Sequence, residues 1–202
     1  MKKKEVFKII FSSMMIALAV CFELVAKVIP LPFWTLGGSI SISMLPLIVC
    51  AVVCGWAYGL ASGAIYGLIN CFILDGYTFN LASFILDYIL AFGGVAIVAI
   101  FKDKILDNKK KDFVIGVVLV YVFRLICSGF SGVINAGVWG YDEAFLEGVF
   151  GAGKGNMMYL YLYSFVVYNL PYLAVSCALS IAIGLISYRR VILRNYDNYY
   201  NE

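Results

Sequence analysis

The feature that most constrains this chain is the length of its apolar runs. A bilayer core takes about 20 consecutive apolar residues of helix to cross. On that ruler the sequence divides into six segments, at roughly 6–29, 41–58, 60–74, 81–102, 113–137 and 157–187. The expected fold is an all-α integral membrane protein, a bundle of six transmembrane helices forming one membrane domain over residues 1–202. Composition agrees: 13% of residues are charged, against about 25% in a soluble domain. The start, MKKKEVFKIIF, has the basic-then-apolar order of a secretory leader. No small-residue cleavage site follows and the run is long enough to span, so it is read as a retained first helix. Pro171 is expected to kink the long last segment.

Charge sets the expected topology. Lys2, Lys3, Lys4, Lys8, Lys102, Lys104, Lys109, Lys110, Lys111, Arg189, Arg190 and Arg194 fall at the two termini and in the connection after the fourth segment. Only Lys27 and Lys154 fall on the other side. Lys and Arg favour the cytoplasmic face, so both termini are expected there, in a multi-pass protein of the cell membrane. The clumps mark topology and the lipid bilayer as surroundings; they do not form a face for nucleic acid. The six cysteines all lie inside apolar runs and are read as free, small hydrophobes. The chain has no histidine, which excludes imidazole triads, relays and zinc ligands.

Two glycine patterns need sorting. Gly55, Gly59, Gly63 and Gly67 recur every four residues, a smooth stripe suited to close helix packing, with a chain turn expected near Gly59. The stretch GVFGAGKG (148–155) starts like a phosphate-binding loop. However, Gly155 stands where Ser or Thr would hold magnesium, and the stretch falls in an outer, acidic connection. It is read as a flexible glycine loop.

Ionisable groups at membrane depth are costly and usually functional. FILDYILAFGG places Asp87 two turns into the fourth segment, and Arg124 lies mid-way along the fifth with Ser128 one turn on. Tyr66 and Asn70 stand on the third segment, Tyr77 on the outer loop after it and Asn169 in the outer half of the sixth, while Tyr88, Tyr163 and Tyr168 add aromatic surface at similar depth. Two readings fit. In one, Asp87 and Arg124 form a buried ion pair that fixes the helices, and the tyrosines form an interfacial belt. In the other, these groups line a pocket open to the outside, which also accounts for the extra amide and hydroxyl groups. Aromatic faces with a carboxylate suit an organic cation, and Asn, Ser and Tyr suit a heteroaromatic ring.

The stretches GGSISISMLPL (37–47), GLASGAIYGL (59–68), LDYILAFG (86–93), RLICSGFSGVI (124–134) and Tyr168–Asn169 occur in order along the chain. Together they resemble the thiamine-specific substrate-binding (S) components of energy-coupling factor (ECF) transporters. The resemblance implies capture of thiamine outside the cell, with no catalysis by the subunit itself and no cofactor. It also implies docking on an ECF module of a transmembrane coupling protein and two ATPases. Carried over by position, Asp87 matches the acidic residue facing the cationic thiazolium, and Tyr66, Tyr77 and Tyr88 match aromatic pocket positions. Arg124 matches a basic residue, Asn169 an amide, and either Tyr163 or Ser164 a further pocket position. Ser13 and Ala17 match the small-xxx-small patch that contacts the coupling protein. Ser128 stands where the family usually has histidine, so a related pyrimidine or thiazole is an alternative ligand. The remaining alternatives are an S component for another vitamin, a membrane enzyme using Asp87 and Arg124, and a purely structural bundle.

Overall fold

The computed structural model describes residues 3–28, 39–74, 78, 80–151 and 157–200. The described residues are helical and contain no strand. In chain order the helices are α1 (Lys3–Val28), α2 (Met44–Cys54), α3 (Trp56–Phe72), α4 (Leu81–Leu106), α5 (Lys110–Ile134), α6 (Ala136–Trp139), α7 (Glu143–Phe150) and α8 (Met157–Asp197). Of these, α1, α4, α5 and α8 are long and apolar enough to cross a membrane.

The core is organised around α2. All of its side chains are buried, and it packs against α1, α3, α4 and α8. A helix that is apolar on every side has no solvent face to offer, so it is enclosed by the others. It is shorter than the expected 41–58 segment. At its start, the Ser41 N–H donates to Ser176 Oγ (3.1 Å) and the Ser43 N–H to Ser41 Oγ (3.1 Å), so side chains rather than a helical turn satisfy this backbone. Pro46 then sits in the first turn, where its missing N–H costs nothing. At its end, Gly55 takes φ +99°, a conformation that side-chain-bearing residues rarely adopt. The chain therefore turns at Gly55, one helical turn before the expected Gly59.

That placement keeps Gly59, Gly63 and Gly67 together on α3, where the stripe does close packing. A Cβ at Gly59 would lie 2.5 Å from the Ala51 Cβ on α2, and one at Gly63 would lie 2.2 Å from the Phe92 carbonyl oxygen on α4. Lipid gives helices no hydrophobic reason to associate, so such backbone approach, with its dense van der Waals contact, holds them. The same device recurs between α5 and α8, where Gly132 faces the Ser164 hydroxyl and Gly129 the Phe165 ring.

The end carrying the chain's first residues is tied by polar groups. Tyr58 donates to Glu5 (2.6 Å), which also pairs with Lys8 (3.1 Å). The buried Tyr188 hydroxyl donates to the Ile105 carbonyl, and its ring meets Phe113 edge-on at 5.6 Å. In GVFGAGKG, residues 148–150 end α7 rather than forming a loop. Gly151 closes that helix at φ +68° with its N–H on the Glu147 carbonyl (2.8 Å), and residues 152–156 lie outside those described. A phosphate loop opens a helix; here one finishes. Pro171 lies two residues beyond a π-helical stretch, Tyr163–Asn169, so the interrupted ladder takes the form of a widened turn.

Candidate functional site

The site forms where α4 begins, α5 ends and α8 begins. Asn80 caps α4, accepting the Ser83 N–H on its Oδ1 (2.8 Å) while its amide donates to Asn135 Oδ1 of α5 (2.7 Å). The next seven residues, Phe84–Leu90, wind as a π-helix. Such turns are rare and costly in hydrogen-bond geometry, and they concentrate at functional positions. Asp87 sits in this turn.

Asp87 is half-buried, and its Oδ2 accepts hydrogen bonds from Ser83 (3.3 Å) and Ser131. Ser131 is itself steadied by Asn135, whose amide donates to the Ser131 carbonyl (2.8 Å) and hydroxyl (3.3 Å). Ser128, one turn earlier on α5, also lies beside the carboxylate. The direct partners of Asp87 are thus neutral hydroxyls. The ion pair with Arg124 expected under the packing reading does not form among the described residues.

Arg124 instead lays its guanidinium over the Phe92 ring, 4.5 Å from the centroid, and its buried Nε has no hydrogen-bond partner among the described residues. It lies within electrostatic reach of Asp87, Tyr66 and Tyr172. Tyr66 is fully buried on α3, edge-on to the same Phe92 ring at 4.8 Å, and its hydroxyl donates to Glu23 of α1 (3.3 Å). Tyr88 is buried, its backbone lies against Gly67 of α3, and its ring lies beside Phe84 with centroids 6.5 Å apart.

α8 supplies a second π-helical turn, Tyr163–Asn169. Asn169 is buried and engaged at both ends: its amide donates to the Ser164 carbonyl (2.8 Å) and its oxygen accepts from Tyr172 (2.6 Å). Ser164 donates to the Gly129 carbonyl (2.8 Å). Tyr163 packs edge-on to Tyr141 (4.8 Å) and Phe145 (5.0 Å), in a small cluster under α7. Tyr168 is half-buried and lies in the electrostatic neighbourhood of Asp87.

The structure therefore gathers Asp87, Ser128 and Arg124 around one locus, with Asn169 joined through Tyr172 and Tyr66 through Phe92. Ser164 holds the Asn169 amide, Tyr163 packs in the cluster under α7, and Tyr77 lies outside the described residues. Ser13 and Ala17 are exposed on the outer face of α1, beside Met14 and Leu18. Sequence reasoning missed Ser83, Ser131, Tyr172 and Glu23. The first two were signalled by spacing: Asn80, Ser83 and Asp87 share one face of α4, and Arg124, Ser128, Ser131 and Asn135 share one face of α5.

An all-helical membrane protein whose charged and aromatic groups converge at one end of the bundle has the form of a small-molecule membrane transporter. The chain belongs to the thiamine transporter protein family (Thia_YuaJ), whose model matches residues 9–193. It is similar to the thiamine transporter ThiT of Bacillus subtilis (strain 168), 25% identical over 199 residues that cover 95% of this chain and 96% of that one. Its fold matches the solved structure of ThiT from Listeria monocytogenes with a TM-score of 0.65 at 19% identity, covering 98% of each chain. The family is one of transporters, which sets the membrane-enzyme alternative aside.

Proposed function

We propose that this chain is the substrate-binding S component of an ECF-type importer, capturing thiamine at the outer face of the cell membrane. The observation that carries the reading is Asp87: a half-buried carboxylate in a π-helical turn, held by neutral hydroxyls and not by a direct ion pair. A cationic ring would supply the missing charge, and the rings of Tyr168 and Tyr172 would supply aromatic faces worth about 0.5–2 kcal/mol each to a cation. In this reading six spans place both termini in the cytoplasm, all 202 residues form a single membrane domain, and Tyr66, Tyr77 and Tyr88 are the aromatic pocket residues. Ser13 and Ala17, exposed on α1, contact the transmembrane coupling protein of a module driven by two ATPases.

Ser128 offers a hydroxyl where a larger ring is usual in the family, so the pocket favours a ligand anchored by charge more than by stacking. Purified protein titrated with thiamine is expected to show saturable quenching of its Tyr and Trp fluorescence below micromolar concentration. If neither thiamine nor its pyrimidine moiety gives saturable quenching in that range, the substrate assignment fails.

A further inference from the structure

Glu23 is a second acidic side chain inside the bundle. It is 5% exposed, on an α1 face otherwise packed with Phe11, Met15 and Ala19. Its Oε1 accepts from Ser39 Oγ (2.7 Å) and its Oε2 from the Tyr66 hydroxyl (3.3 Å), which in turn accepts from the Asn70 amide (3.3 Å). All of these are neutral groups. Arg124 lies in the electrostatic neighbourhood of Tyr66 and rests on Phe92; among the described residues it forms no ion pair with either carboxylate. Asp87 and Glu23 are thus two carboxylates in one core, each accepting hydrogen bonds from neutral hydroxyls, an arrangement suited to a ligand that brings a positive charge and N–H donors.

The two acids stand in different surroundings. Tyr168 and Tyr172 lie in the electrostatic neighbourhood of Asp87, and their rings suit a cation. Around Glu23 are the Tyr66 hydroxyl, the Asn70 amide and the Ser39 hydroxyl, suited to hydrogen-bond the polar edge of a heteroaromatic ring. We propose that Glu23 is a ligand-binding carboxylate that accepts the amino group of an aminopyrimidine ring, while Asp87 faces the cationic ring at the other end of the same molecule. A site built to accept an N–H rejects the analogue lacking it, because the acceptor is then left buried and unpaired. Glu23 is thereby the specificity-determining residue for the amino group. This rests on the thiamine reading above.

The test compares thiamine with its analogue in which a ring carbonyl replaces the amino group. The intact protein is expected to bind thiamine at least tenfold more tightly than the analogue. Glu23→Gln keeps oxygen and nitrogen atoms for Ser39 and Tyr66 but removes the charge, and is expected to bring that ratio close to one. Asp87→Asn is expected to weaken both ligands and leave the ratio intact. A Glu23→Gln protein that folds and retains the full ratio overturns the inference. If Glu23→Gln does not accumulate, Glu23→Asp, which withdraws the charge by one methylene, must still lower the ratio; an unchanged ratio there overturns it equally. Failure of the intact protein to bind thiamine at all is a different result, and counts against the substrate reading.

Discussion

Gly67 of α3 lies so close to Tyr88 of α4 that a Cβ on it would stand 2.1 Å from the Tyr88 carbonyl oxygen. Tyr88 belongs to the π-helical turn that carries Asp87, so the contact fixes the depth and rotation of the carboxylate proposed to bind the ligand as well as the packing of two helices. Gly67→Ala is expected to push α4 away, at about 1–3 kcal/mol for an overpacked core. A lowered Tm in detergent, together with weaker ligand binding, checks this. Gly137→Ala serves as the control, since nothing stands within 4 Å of a Cβ there.

Ser131 orients Asp87 more directly than any other described side chain, by donating to Oδ2 while Asn135 holds its own hydroxyl. Losing one such donor costs about 0.5–1.5 kcal/mol, or roughly 2- to 10-fold in affinity. Ser131→Ala is expected to weaken ligand binding by that factor with little change in thermal stability. Isothermal titration beside a melting curve separates the two effects. A variant that loses stability and keeps its affinity contradicts the assigned role.

Asn135 joins α4 to α5 at the site's rim through its 2.7 Å bond with Asn80, and it is 1% exposed. Asn135→Ala leaves the Asn80 amide and the Ser131 carbonyl without this partner. The expected loss is about 1–3 kcal/mol, the usual cost of stranding buried polar groups. Hydrogen exchange is expected to rise first in the opening turn of α4, where Asn80 caps the helix.

Much of this was legible in the sequence, and for identifiable reasons. Apolar run length foretold helices near the observed bounds of α1, α4 and α5, because membrane spans leave backbone groups no partner but their own helix. The glycine stripe foretold close helix packing, and the structure supplies α4 as the partner of α3. The turn fell at Gly55 rather than Gly59, since four glycines at equal spacing do not say which of them takes the positive φ. Neither π-helical turn was legible: the extra residue changes no composition, and only the three-dimensional fit of Asp87 to Ser131 and of Asn169 to Ser164 and Tyr172 reveals it. Glu23 was passed over because it lies near Lys27 at a helix end, where a charge reads as interfacial. Its burial by Tyr66 and Ser39 comes from residues distant in sequence.

In the proposed function Asp87 supplies the charge that binds a cationic ligand. The measurement that bears on it most directly is the dissociation constant of thiamine for the intact protein beside Asp87→Asn. Asparagine keeps the size and an acceptor oxygen for Ser83 and Ser131, so the substitution removes little but the charge. Truncating one side of a buried charge pair costs about 2–5 kcal/mol, which is roughly 30- to 5,000-fold in Kd. A loss in that range is the predicted result. A folded Asp87→Asn protein that binds thiamine as tightly as the parent would contradict the account.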